Sequence, residues 1–237
     1  MITGASRGIG RAVALAFAAE GADIAIAGMT DEVALAGVEK EIAALGRRVI
    51  ASLANVSQRA EIDRLVGHIA EEWGRHDILV NNAGIIQLTK LEDISEEQWD
   101  RTIAVHLKGT FNYTQAVLAA MKSQGGGKII HVAAPSAIRG SSGVADYAAA
   151  KGGIIAFTRN AANEFSPYNI QVNCISPVAQ TRMTDALVAY RQQQSNPPAG
   201  SLTRGGFVEP EATTPAFVFF ASRDSDLITG QILALHR

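Results

Sequence analysis

Short apolar, β-like runs alternate along this chain with longer segments of helical periodicity, and that rhythm leaves few folds open. The runs are Asp23 to Ala27, Arg48 to Ser52, Asp77 to Val80, Lys128 to Ala133, Ile170 to Ile175 and Gln231 to Leu235. Helical segments fall between them at Gly8 to Glu20, Asp31 to Leu45, Gln58 to Trp73, Glu96 to Lys122, Tyr147 to Phe165 and Pro210 to Ala221. Strand–helix–strand repeats build βαβ units and a mainly parallel sheet. The runs are unbroken rather than alternating, as strands covered on both faces must be. The expected fold is therefore α/β and doubly wound. With 237 residues, a single unit over 1–237 fits better than two.

Composition narrows the partners. The formal net charge of −2 and the lack of a Lys/Arg-rich block argue against nucleic acid. No apolar run reaches the ~18 residues that span a bilayer. Met1-Ile2 leads straight into a glycine-rich turn, without the pattern of a secretory leader. The single cysteine, Cys174, forms no intrachain disulfide and is compatible with a reducing compartment. A cytoplasmic location is expected. No metal ligand set is assigned.

One stretch breaks the rhythm. Thr181 to Gly206 carries Gln192-Gln193-Gln194, Asn196-Pro197-Pro198 and Gly205-Gly206, and reads as irregular with helical pieces at best. A long insert of this kind is either a substrate lid or a plain surface loop. As a lid over 181–206 it would pivot at the Pro and Gly pairs and turn Met183, Leu187 and Tyr190 inward.

Thr3-Gly4-Ala5-Ser6-Arg7-Gly8-Ile9-Gly10 lies between an apolar stub and an alanine-rich helix. Glycine permits positive φ and close backbone approach. The helix start beyond presents unpaired N–H groups and a partial positive charge, so the turn is a pyrophosphate site.

These residues, with others in fixed order, resemble the short-chain dehydrogenase/reductase family. The opening Thr-Gly-x-x-x-Gly-x-Gly is Thr3 to Gly10, Asn-Asn-Ala-Gly is Asn81 to Gly84, and Tyr-x-x-x-Lys is Tyr147 to Lys151. Ser176-Pro177 with Thr181, and Ile228-Thr229-Gly230-Gln231, match two later segments. The resemblance implies a Rossmann-type sheet of about seven strands, whose first strand here is a truncated stub of about two residues. It implies hydride transfer between a nicotinamide and a carbonyl or secondary alcohol. It also implies a homo-oligomer, tetramer or dimer, joined through the helices at Glu96 to Lys122 and Tyr147 to Phe165. Cofactor contacts carried over are Gly4, Ser6, Arg7, Gly8, Ile9, Gly10, Asn55, Val56, Asn82, Ala83, Gly84, Tyr147, Lys151, Pro177 and Thr181.

Tyr147 and Lys151 are four residues apart, on one helix face. A phenol of pKa ~10 is a poor acid–base at neutral pH, and a neighbouring ammonium lowers it. The resemblance assigns Tyr147 as acid–base and Lys151 as its modulator and ribose ligand. Two expected partners differ. Ala134 stands where the family has a serine, with Ser136 two residues on; His106 stands where it has an asparagine. His106 has two roles open to it, water relay or space-filler, since imidazole can donate or accept. Asn55 and Pro177-Val178 replace the usual Asp and Pro-Gly.

Strand two ends at Gly28, followed by Met29 and Thr30, so no carboxylate there repels a 2′-phosphate. Arg7 could pair with that phosphate, which favours NADP(H) over NAD(H); the alternative has Asp31 reaching the ribose. A small free carbonyl or alcohol is the expected substrate. Two functions follow: an active oxidoreductase, or a cofactor-binding pseudoenzyme or assembly subunit of the same fold.

Overall fold

A computed structural model describes residues 1–193 and 206–235. In chain order the elements are β1 (Ile2–Thr3), α1 (Gly8–Ala19), β2 (Ile24–Gly28), α2 (Glu32–Ala44), β3 (Val49–Leu53), α3 (Arg59–Trp73), β4 (Ile78–Asn81), α4 (Glu96–Ile103), α5 (Gly109–Ser123), β5 (Gly127–Val132), α6 (Ser136–Arg139), α7 (Ala145–Phe165), β6 (Ile170–Ser176), α8 (Arg182–Gln192), α9 (Thr214–Ala221) and β7 (Ile232–Ala234). The seven strands form one parallel sheet in the order β3-β2-β1-β4-β5-β6-β7. This is the doubly wound Rossmann-type architecture expected.

The two-residue stub β1 is central nonetheless: Ile2 pairs with Ile26 on one side and Val80 on the other. It holds its place because Ile2 is buried and both neighbours are wholly or largely buried strands. One face of the sheet is covered by α1, α2 and α9 through Val13, Phe17, Leu35, Val38, Phe217 and Phe220. The other is covered by α3, α5 and α7 through Ile62, Val66, Tyr113, Val117, Ala161 and Phe165. Each such buried Val, Leu, Ile or Phe side chain stabilises the fold by about 1.5–3 kcal/mol. Among the described residues no helix is long and apolar enough to cross a membrane.

Two expectations are refined and one element was not anticipated. The expected helical segment Glu96 to Lys122 is present and unbroken, but it contains a π-helical turn, Ala104–Lys108, between α4 and α5. Such a turn inserts one extra residue, re-aims the side chains beyond it, and often marks a functional site. Thr181 to Gly206 holds a full helix where only helical pieces were expected: α8 occupies Arg182–Gln192, started by a capping box in which Thr181 accepts from the Thr184 N–H. Its Pro-Pro and Gly205 pivots lie outside the described residues. α6 was not foreseen at all.

Strand order reverses direction between β1 and β4. Ligands of open α/β sheets bind at such a switch point, beyond the carboxyl ends of the strands. The turns after β1, β4, β5 and β6 all open there.

Candidate active site

The turn after β1 is shaped by glycine. Gly4 and Gly8 have φ of +65° and +54°, which only glycine adopts at little cost. A Cβ on Gly10 would lie 2.3 Å from the Gly4 carbonyl oxygen and 2.5 Å from Asn82 Nδ2, so helix and turn touch only because it is absent. The Asn82 amide donates to the carbonyls of Thr3 (2.9 Å) and Gly4 (3.1 Å). Thr3 Oγ1 accepts from the N–H groups of Asn82 and Ala83, both at 3.0 Å. β1 and β4 are thus sewn together under the site. α1 then begins with extended Arg7, no side-chain cap and no acidic residue in its first turn. Its first N–H groups are left for an anion.

At the far end of β2, Asp31 caps α2 by accepting from the Ala34 N–H at 3.0 Å, and its other oxygen pairs with the Arg7 guanidinium. The two residues that sequence set as alternatives therefore hold each other. Asn55 is turned away: its side chain accepts from Ser57 N and Oγ at 3.0 and 2.9 Å.

Tyr147 and Lys151 stand one turn apart on α7. Lys151 Nζ donates to the Val132 carbonyl at 2.6 Å and lies 5.7 Å from the Tyr147 ring centre. Burial pushes the ammonium down to about 8 and, contrary to the lowering expected from Lys151, the phenol up to about 12. Asp146, 1% exposed, anchors this turn. One of its oxygens accepts from Gln98 (3.0 Å) and Thr102 (2.9 Å) of α4, and the other from the Tyr147 N–H (2.8 Å). Sequence reasoning missed this anchor; its only signal was an acid directly before the tyrosine.

His106 sits in the π turn, its ring edge-on to Tyr147 with centres 5.0 Å apart. Its Nε2 is 2.7 Å from the Ile85 carbonyl and 3.1 Å from the Ile85 N–H. Burial, then the Lys151 charge, drives its pKa down to about 3, so the ring is neutral. Nε2 faces both the carbonyl and the N–H of Ile85, and buried Nδ1 has no partner. Beside it, Ala134 supplies no donor, while the Ser136 hydroxyl is buried and unpartnered.

These groups share one cavity of about 1260 Å³. Of the residues singled out by sequence, Gly4, Ser6, Arg7, Gly8, Ile9, Val56, Asn82, Ala83, Gly84, His106, Tyr147, Lys151, Pro177 and Thr181 line it; Gly10 and Asn55 do not. From α8, Met183, Leu187 and Arg191 line it, whereas the Tyr190 ring turns onto Gly143 instead of inward.

A glycine-shaped turn, a cleft at the switch point and a Tyr–Lys pair lining it mark a Rossmann-type α/β protein. The short chain dehydrogenase family model matches residues 1–194. The chain is 38% identical to the 3-oxoacyl-(acyl-carrier-protein) reductase FabG of Thermotoga maritima over 236 residues, covering 99% of this chain and 94% of that one. It is 36% identical to the sorbitol dehydrogenase of Cereibacter sphaeroides over 241 residues, covering 98% and 93%. A solved short-chain type dehydrogenase/reductase from Mycobacterium marinum superposes with a TM-score of 0.91 at 32% identity, covering 99% of this chain and 92% of that one. The chain belongs to the short-chain dehydrogenase/reductase family.

Proposed function

We propose that this protein interconverts a small carbonyl compound and the corresponding secondary alcohol, using a nicotinamide cofactor with NADP(H) preferred. One observation carries the reading: Tyr147 and Lys151 line the same cleft as the uncapped start of α1. The cleft fits a dinucleotide. Its turn excludes a Cβ at Gly10, and its helix start offers free N–H groups to a pyrophosphate. The nicotinamide, when bound, supplies or takes the hydride.

The chain supplies the proton and the alignment. Tyr147, protonated throughout the neutral range, donates its phenolic proton to the oxygen of the carbonyl being reduced. The buried Lys151 ammonium stabilises the phenolate left behind. Asp146 fixes the first turn of α7, so the phenol is positioned before substrate arrives.

The cofactor preference rests on Arg7. Its pair with Asp31 is exposed on both sides, 43% and 36%, and an exposed pair is worth about 0–1 kcal/mol. A 2′-phosphate offers charge-assisted bonds of about 1.5–3 kcal/mol and displaces the carboxylate. NADPH is expected to bind more tightly than NADH, and Arg7→Ala to weaken NADPH about 10- to 100-fold while barely changing NADH. Titration of both cofactors checks this; NADH binding equally well or better would refute the preference.

A second reading, a cofactor-binding pseudoenzyme, is favoured by Ala134, which leaves its position beside the reacting oxygen without a donor. A missing donor at developing charge costs on the order of 10²–10³ in rate. Ala134→Ser is therefore expected to raise kcat at least tenfold. His106→Asn in that background either adds to the gain or, by lowering the rate, identifies His106 as the relay. A wild-type chain that binds NADPH but turns over nothing in a broad carbonyl and alcohol screen would establish the second reading.

A further inference from the structure

We propose that the carbonyl compound taken by this site also bears a carboxylate, bound by Arg191 together with Ser141. The inference rests on the oxidoreductase reading above and adds a substrate class to it. Arg191 is near the end of α8 and lines the same cavity as Tyr147 and His106. It is half-buried, and its Nη2 donates to the neutral Ser141 hydroxyl at 2.7 Å. Its Nε is buried without a partner. A guanidinium carries five donors in a planar fork matched to a carboxylate, and leaving one sealed off is costly.

The arginines lining the cavity fall into two sets. Arg7 and Arg11, at the nucleotide end, are paired with Asp31 and with Glu41 and Glu211. Arg191 forms no ion pair among the described residues, and neither do Arg139 and Arg182, which line the cavity beside it. The remaining lining acids, Asp185 and Glu209, make no such contact with Arg191. Burial lowers the Arg191 pKa from its ordinary value, as expected for a cation missing its counter-ion.

The placement is fixed by packing. The Tyr190 ring lies so close to Gly143 that a Cβ there would come within 2.5 Å of it. Gly143, at φ +78°, lets the chain turn beneath that ring. Tyr190 and Arg191 thus clamp α8 onto the turn 141–143, which leads directly into α7 and Tyr147. A substrate held by its carboxylate at Arg191 and by its carbonyl at Tyr147 is grasped at two points, which selects an oxo acid over a neutral ketone of equal size.

The test uses the full chain with NADPH and a series of 2-oxo and 3-oxo acids, each matched with its methyl ester. Turnover is measured alongside calorimetric binding of each acid. The acids should exceed their esters in kcat/KM by about 10- to 100-fold, mainly through KM. Arg191→Met should bring that ratio close to one, and Ser141→Ala should lower it part of the way without altering α8. Arg223→Met, on the exposed turn before β7, should keep it. Esters turned over as well as acids, with a ratio that Arg191→Met does not move, overturn the carboxylate site and leave the oxidoreductase standing. Acids that bind in an Arg191-dependent way without being reduced uphold the site and, with no turnover in the broad carbonyl and alcohol screen, overturn the oxidoreductase. No binding and no turnover overturn both.

Discussion

Tyr147→Phe should abolish turnover, by about 10²–10⁴-fold, while the cofactor dissociation constant stays within about twofold. The substitution removes one hydroxyl and keeps the ring that packs edge-on against His106. The Asp146 bond to the residue-147 N–H is also untouched, because it uses backbone. Of the other described groups nearby, His106 is neutral and Ala134 has no proton to give, while the Lys151 ammonium, at about 8, is spaced 5.7 Å from the ring centre and gives one N–H to Val132. Calorimetry with NADPH and a steady-state assay on the same preparation separate the two effects. Residual turnover within tenfold of wild type would move the acid–base role to another group, with Lys151 the first to examine and Ser136 next.

The residues behind that expectation were legible in the sequence because their signals are local. Gly4, Gly8 and Gly10 mark a turn that needs positive φ or close approach, and Tyr147 and Lys151 share a face by helical period alone. The strand runs were placed within about a residue of their observed ends, since burial on both faces leaves an unbroken apolar signature. What escaped depends on contacts between distant segments. The π turn at Ala104–Lys108 does not interrupt the apolar periodicity; it is fixed by Ile85 holding His106 from 21 residues away. α8 escaped because it has no buried residue. Met183 and Leu187 face a cavity rather than a core, and Tyr190 packs on Gly143, so its pattern is weak. Asp146 reads as an ordinary first-turn acid until Gln98 and Thr102, more than 40 residues earlier, are seen to donate to it. The Arg7–Asp31 pair, 24 residues apart, turned two competing proposals about the ribose into one linked site.

Lys151→Met should weaken the cofactor and the rate together, and at the same time make the fold more stable. The side chain is 3% exposed, and its burial brings the ammonium down to about 8 from an ordinary 10.5. Between those values the unfolded chain binds the proton that the folded chain has lost, so wild-type stability rises with pH across about 8 to 10.5. Below pH 8 the fold carries the whole cost of a buried charge. Methionine has nearly the same shape and no charge, so it removes that cost, against which stands the donor lost by the Val132 carbonyl. The net gain at pH 7 is roughly 1–3 kcal/mol, or about 2–10 °C in Tm for a chain of this size. It should shrink as pH approaches 10.5. Tyr147 acts in the opposite sense: its pKa is raised to about 12, so the folded state keeps its proton longer and stability falls as pH rises from 10 through 12. The same ammonium sets the activity profile. With Lys151 charged only below about 8, kcat/KM for carbonyl reduction should fall above that pH, and the fall should be absent from whatever rate Lys151→Met retains. Thermal melts of wild type and variant at pH 7 and pH 10, with the wild-type pH–rate curve, check all three. A variant less stable than wild type at pH 7 would mean that the Val132 bond outweighs the buried charge, and that Lys151 supports the fold as well as the chemistry.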